Sequence, residues 1–346
     1  MIVKKRIYVS FIALTVLFGG VAAVAGAGQT KRGRASAAST GQVKPSLLAQ
    51  LPAADGVMLV DLKRLLGEAL PRVFAGDAAK LAQVNAEIDK FKKQTGIDPR
   101  SFDQVAIGTR FTSPAEGVTK LNTVALAHGT FNAGVIVAAG RLAAKGQYQE
   151  EKYKGATIYI FNINDQIKMA GLMNMKVGQL AVCALDANTL ALGDLALVHE
   201  AIDARSGAGR VSNELIQLAT RNAGAIIGFG ASLPPSFSKN LDVPNDEIAR
   251  NVAAIRQVYG SIGMTANGFN TLIVARTETA EQAKSLSETI SALKQFAPLL
   301  SGRVSGAKGK LAQNALESLQ VSAQGNELQL KIDLAQTDLS ALMPSR

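Results

Sequence analysis

One cysteine and two histidines supply all the thiol and imidazole in this chain of 346 residues. Cys183 and His199 share one stretch, LAVCALDANTLALGDLALVHEAIDARSG (180–207), with carboxylates near both. A thiolate beside an imidazole would be a nucleophile with its base, which requires a lowered thiol pKa and a common cleft. The surrounding pattern opposes that chemistry. Leu180, Val182 and Ala184 alternate with Ala181, Cys183 and Leu185, so both faces of the strand are apolar, as in a central strand covered on two sides. A thiol there acts as a small hydrophobe with a raised pKa. His199 lies in register with Leu195, Val198 and Ile202 on the next helix, at the margin of its inner face. The stretch is expected to be a hairpin and a helix serving as scaffold.

The remaining chemistry is thin. A structural zinc site needs four nitrogen or sulfur ligands and a catalytic one three protein ligands, and His128, Cys183 and His199 are too few and too scattered. DVPNDE (242–247) offers oxygens for calcium but lacks the spaced ligands and central glycine of an EF-hand loop, so it reads as the acidic first turn of a helix. GFGASLPP (228–235) follows a strand, yet no third glycine opens a helix and two prolines intervene, so the dinucleotide fingerprint fails. SGRVSGAKGKL (301–311) has Leu311 where a phosphate loop needs Ser or Thr, and is expected to be a mobile basic loop. There is no G-x-S-x-G elbow. A hydrolase working with carboxylates alone stays open, because sequence does not show which acids converge. No catalytic, cofactor-binding or metal-binding residue is therefore assigned, and no cofactor is implied.

One segment could make a contact surface. Met169, Met173 and Met175 fall within seven residues of NINDQIKMAGLMNMKVGQ (162–179), between Lys168 and Lys176. Flexible thioethers suit adaptable apolar contacts. Met169, Leu172, Met173 and Met175 are thus a candidate apolar patch for a lipid, a partner or the membrane interface; the alternative is a loop covering the sheet's edge.

The elements that would position these residues come from periodicity. A buried strand at 57–60 leads to a helix at 62–73. A second helix spans 78–95, where Leu81, Val84, Ile88 and Phe91 make one apolar stripe and Gly96 ends it. Strands near 104–111 and 121–130 precede a helix near 132–145, a hairpin near 147–161, strands at 179–185 and 189–193, and a helix at 194–205. The order then recurs. GAIIGFGA (224–231) opens a second unit of strands near 255–265 and 269–277, a helix at 279–297, strands at 317–324 and 327–333, and a short terminal helix. VCALDANTLAL (from Val182) lies beside VSAQGNELQL (from Val321), and LNTVALAHGTFNAG beside FNTLIVARTETAEQ. The expected fold is α+β: two tandem, duplicated units, 47–210 and 211–346, each an antiparallel-rich sheet with helices packed on one face. The first unit is the longer, with an insertion at 162–178.

Charge distribution bears on partners. The net charge is +10, but residues 1–46 hold seven basic and no acidic side chains, leaving the rest with 30 basic and 27 acidic groups. With 5% aromatics and no tryptophan, no basic and aromatic surface for nucleic acid is expected. MIVKKRIYVSFIALTVLFGGVAAVAGAG is a basic start, an apolar run over 7–27 and an A-x-A site at Ala23–Ala25. Residues 1–29 are read as a cleaved export signal; an uncleaved anchor is the alternative, since the run is long enough to associate with a membrane. No cysteine follows the run to carry a lipid. Residues 30–46 form a flexible basic linker. The expected location is across the inner membrane, periplasmic or envelope-associated.

LPAADGVMLVDLKRLL (51–66), YKGATIYIF (153–161) and LDANTLALGDLALVHEAIDA (185–204) together resemble exported bacterial proteins of the domain-of-unknown-function 3352 type. The resemblance implies an exported two-repeat architecture, and it implies no activity and no site residue. The expectation is a non-enzymatic binding or scaffold protein of the cell envelope, with a protein partner; a carrier of an apolar small molecule such as a lipid or pigment is the runner-up.

Overall fold

The structure, a computed structural model, describes residues 46–115, 118–169, 173–234, 246–301 and 306–340. The expected signal or anchor at 1–29, and the linker up to residue 45, lie outside the described residues. The chain is α+β, as expected. Its strands are β1 (Gly56–Asp61), β2 (Phe102–Ala115), β3 (Val118–Gly129), β4 (Tyr148–Tyr153), β5 (Ala156–Met169), β6 (Met173–Asp186), β7 (Thr189–Gly193), β8 (Ala225–Ser232), β9 (Ile255–Met264), β10 (Gly268–Thr277), β11 (Gln320–Gln324) and β12 (Glu327–Ala335). They form one 12-stranded sheet, ordered β11-β12-β10-β9-β8-β1-β2-β3-β7-β6-β5-β4. Every neighbouring pair is antiparallel.

The centre of this order is the pairing of β1 with β8, from Gly56↔Ala231 to Val60↔Ile227, so the sheet runs unbroken across the boundary expected at 210/211. Outward from that pair, one side reads β1-β2-β3-β7-β6 and the other β8-β9-β10-β12-β11, with β5 and β4 added to the first. The two hairpins whose sequences run parallel, 182–192 and 321–330, hold corresponding places on the two sides.

The helices are α1 (62–73, α-helical at Leu62–Arg64 and Leu70–Val73 with a π stretch Leu65–Ala69 between), α2 (Ala78–Thr95), α3 (Ala133–Ala144), α4 (Leu195–Arg205), α5 (Asn213–Thr220), α6 (Asp246–Ala253), α7 (Ala280–Ser301), α8 (Gly306–Ser318) and α9 (Gln336–Ser340). Local chemistry sets their ends. The Asp77 side chain accepts from the Lys80 amide at the start of α2, and Gly96, at φ 73°, ends it in the left-handed conformation that glycine adopts without a Cβ clash. Asn132 caps α3 and Ser212 caps α5 in the same way as Asp77.

Helices cover both faces of the sheet's first half, which corrects the expectation of one covered face. On one face Val60, Val105, Ala125, Ala127, Val182 and Leu190 pack with Leu62, Ala69, Ile136 and Val137 from α1 and α3. On the other, Val57, Ala106, Val124, Leu126, Ala181 and Cys183 pack with Leu197, Val198 and Ala201 of α4, Leu215 and Leu218 of α5, and Leu47 and Leu48 of a 3-10 turn (Leu47–Gln50). The reason is the alternation itself. Both phases of β1, β2, β3 and β6 are apolar, so each face needs its own cover. In the second half α7 covers the first face, with Leu286 against Ala275 and Leu328, and the opposite phase of β12 is polar: Glu327, Gln329, Lys331 and Asp333.

Three further expectations change. The insertion at 162–178 continues β5 and β6 as a paired ribbon, from Asp165↔Val177 to Met169↔Met173 beyond a register shift at Asn162/Asp165. The basic loop expected at 301–311 gives way from Gly306 onward to α8. Its glycines disfavour helix, but Leu311, Ala315 and Leu319 recur every four residues and all three are buried, so packing overrides propensity. The apolar stripe of α2 is half-buried throughout, and no residue of that helix is buried.

α5 reaches the sheet where glycine permits close approach. A Cβ built on Gly228 would lie 1.9 Å from the Ala219 carbonyl oxygen, whereas one on Gly67 meets nothing within 4 Å. Gly228→Ala is expected to lower stability by about 3 kcal/mol through overpacking, and Gly67→Ala to leave it unchanged or slightly raised. Urea unfolding midpoints of the two variants check this; equal midpoints would contradict the packing described.

Candidate functional site

Cys183 sits in β6 facing α4 with none of its surface exposed, and burial pushes its thiol up to about 11. At neutral pH it is a protonated thiol packed among aliphatics, without a thiolate to attack or to bind metal. His199 engages other partners. Its Nε2 lies 2.6 Å from Oε1 of Glu151 on β4, and its ring stacks on Tyr153 with centroids 4.2 Å apart. One turn on, Asp203 accepts from the Tyr153 hydroxyl at 3.1 Å and from Lys154 Nζ at 2.7 Å. On the opposite flank of α4, Glu200 receives two bonds from Arg110, at 2.8 and 2.6 Å, and the same guanidinium donates to the Ala53 carbonyl at 2.6 Å. These contacts fasten α4 to the sheet at β4 on one side and at β2 on the other. Sequence pattern marks His199 as marginal to the inner face; Glu151, 48 positions away, has no local signal that names it as the partner.

A second polar centre lies on the face that α5 partly covers, over β9, β10 and β12. Tyr259 of β9 is 2% exposed, with Arg221 and Arg276 over its ring at 5.0 and 5.6 Å. Its hydroxyl donates to Glu327 Oε1 at 2.8 Å and accepts from Arg221. Arg276 donates to the same Glu327 oxygen at 2.9 Å and to Gln257 at 2.6 Å, and Gln257 in turn donates to Glu214 at 2.8 Å. The group draws on α5, β9, β10, β12 and the residue just after α5. Two guanidinium charges meet two carboxylate charges, so the centre is closed on itself and offers no surplus cation to an anionic ligand.

The electrostatics of both centres agree. The hydrogen bond from Arg110, above all, holds Glu200 below the usual carboxylate range, and that from Lys154 does the same for Asp203. Burial would raise Glu327, but hydrogen bonds from Tyr259 and Arg276 and the charges of Arg221 and Arg276 outweigh it and hold the group low. Asp186 is likewise lowered against its burial, by Arg205 and the Asn188 amide first. These carboxylates are all ionised at neutral pH. His128 faces Thr189 Oγ1 at 3.2 Å. Among the described residues, no three His, Cys, Asp or Glu side chains gather as a metal site.

For the candidate apolar patch, Leu172 lies outside the described residues. Met169, Met173 and Met175 are placed by their backbone at the end of the β5–β6 ribbon, and their side chains lie outside what is described. Of DVPNDE, residues 242–245 lie outside the described residues and α6 begins at Asp246.

No family model matches the chain, and no curated protein matches it. Solved structures of TP0453 are distantly similar to the chain. Crystal form I has a TM-score of 0.44 at 10% identity, over 86% of this chain and 96% of that one. Form IV has a TM-score of 0.42 at 9% identity, over 85% and 95%. Form III has a TM-score of 0.41 at 9% identity, over 87% and 98%.

Tyr259 carries the clearest pH signature. Burial first, then its bond to Glu327 and that group's charge, push its hydroxyl up to about 12 from an ordinary 10.0. A raised folded-state pKa stabilises the fold fully below the unfolded value, and that contribution is lost as pH rises through about 10 to about 12. Phenolate absorbance of wild type minus Tyr259→Phe is expected to rise near pH 12 in folded protein and near pH 10 in denaturant. A folded-state midpoint at 10 would contradict the closed centre.

Proposed function

We propose that this chain is a non-enzymatic binding or scaffold protein of the bacterial cell envelope, exported across the inner membrane and held in the periplasm or at the envelope. The observation that carries the reading is the mutual engagement of its converging ionisable groups. Proton-transfer catalysis at neutral pH needs a group poised near that pH, and a glycosidase-like pair needs one carboxyl raised and protonated. Here Glu200, Asp203 and Glu327 are held low by their cations and Tyr259 keeps its proton. Both polar centres serve to fasten helix to sheet. The basic and apolar N-terminal sequence supports export, and membrane association through 7–27 belongs to the same proposal. No helix among the described residues is long and apolar enough to cross a membrane. The even charge of residues 47–346 supports a protein partner over nucleic acid.

One observation favours a second reading, a carrier of an apolar small molecule. The face that bears α1 and α3 also bears Met58, Ile107, Ile262 and Met264, all half-buried, and the stripe of α2, which lies against α3, is half-buried too. Incompletely covered apolar residues on that face are where a lipid or pigment would bind.

Native mass spectrometry of the protein purified from its own cells in mild detergent separates the two. The expected result is the bare polypeptide mass or a stoichiometric protein complex. A discrete excess mass that organic solvent removes would overturn the scaffold in favour of the carrier. The mass of the chain itself reports whether residues 1–29 have been removed.

A further inference from the structure

The 12-stranded sheet has two edges, and they are built differently. A free edge strand presents a row of unpaired N–H and C=O groups, and proteins that stay monomeric commonly guard such rows with charge, proline or a bulge. β4 is guarded. It carries Glu150, Glu151 and Lys152, whose side chains engage Arg141, His199 and Thr157 on the neighbouring elements. β11 is not. Its five residues, Gln320, Val321, Ser322, Ala323 and Gln324, include no charge and no proline. It pairs with β12 without a register shift, from Gln320↔Lys331 to Gln324↔Glu327, and its outer side meets no strand among the described residues. Gln320, Ala323 and Gln324 are exposed.

α7 lies over one face of that edge. In the small core between them Ala275, Leu286 and Leu328 are buried, and Ile255, Ile290, Val321 and Leu330 are only partly covered. Val321 and Ala323 share the phase that faces this cluster. Another strand laid beside β11 would extend the cluster as well as the ladder.

We propose that β11 is the edge at which two copies of this chain join, antiparallel about a two-fold axis through Ser322, into one continuous sheet. Self-complementarity selects a second copy as the occupant. In that pairing Ser322 faces Ser322 of the second copy, Gln320 faces its Gln324, and Val321 faces its Ala323. Each cross-strand pair is then amide to amide, hydroxyl to hydroxyl, or apolar to apolar, and none sets like charges opposite. A two-fold interface needs a patch complementary to itself, and this five-residue strand is one. The inference stands apart from the scaffold and carrier readings, both of which are compatible with a monomer or a dimer.

Sedimentation velocity on the protein as its cells produce it tests the pairing. Wild type is expected to pass from monomer to dimer with rising concentration. Ser322→Lys and Ser322→Glu, each placing like charges face to face, are expected to weaken the dimer about tenfold or more, and an equimolar mixture of the two to regain it. Ser322→Cys, a smaller change at the same exposed edge, is expected to form an interchain disulfide on mild oxidation. A chain that stays monomeric at every concentration overturns the proposal, as does a dimer indifferent to both charges or a mixture no tighter than its components. A monomer that copurifies with another protein lost in Ser322→Lys also overturns it, in favour of a strand donated by that protein.

Discussion

β1 carries hydrogen bonds on both edges, to β2 from Gly56↔Thr109 to Asp61↔Gln104 and to β8 from Gly56↔Ala231 to Val60↔Ile227. Among the described residues, nothing else joins the two halves of the sheet as strands. The join is topologically expensive, since closing a loop of roughly 170 residues costs about 4 to 5 kcal/mol in chain entropy. Burial outweighs that. Val57, Val60, Ile226 and Ile227 are all buried at the seam, and each such side chain contributes about 1.5 to 3 kcal/mol. Polar ties reinforce it: Arg64 donates to the carbonyls of Gly224 and Ala225 at 3.2 and 3.3 Å, Arg72 to that of Thr265 at 3.1 Å, and the Ser232 amide to that of Asp55 at 2.7 Å.

From this seam the remaining design follows. A sheet apolar on both faces needs cover on both, and α1 and α3 on one side with α4 and α5 on the other supply it in the first half. The charged centres then lie at the margins of that cover, where helices must be held at fixed angle: Glu151–His199 and Arg110–Glu200 about α4, and Tyr259 with its arginines beyond α5. Partly exposed pairs of this kind add little stability individually, and their value here is geometric. The weakest coverage is over α2, whose 18 residues include none that is buried and whose outer contacts are ion pairs such as Arg100–Asp89. That helix belongs to the low-stability part of the molecule.

Much of the architecture was legible from alternation and capping. α2 was expected at 78–95 because Gly96 and the Leu81–Phe91 periodicity are local signals, and Cys183 was placed between two apolar phases because Leu180–Leu185 alternates on both. What was not legible is non-local. That β1 would pair with β8 rests on contacts over 160 positions apart, and Tyr259 meets Arg221, Arg276 and Glu327 from separate elements with no shared motif. α8 was missed because Gly306 and Gly309 argue locally against helix, while the burial of Leu311, Ala315 and Leu319 that overrides them exists only once the fold has formed. The ribbon at 162–178 was missed because pairing along a projecting hairpin leaves little apolar contrast to read.

The claim on which the rest depends is that one cooperative sheet, seamed at β1 and β8, spans both halves. Native-state hydrogen exchange under rising denaturant measures it residue by residue. The account predicts that amides of β1 and β8 exchange last, at the free energy of global unfolding, with β2, β3, β9 and β10 converging on the same limit. Exchange of β8–β10 and β12 at a distinctly lower free energy than β2, β3 and β7, with β1 still protected, would show two separately stable halves and contradict it.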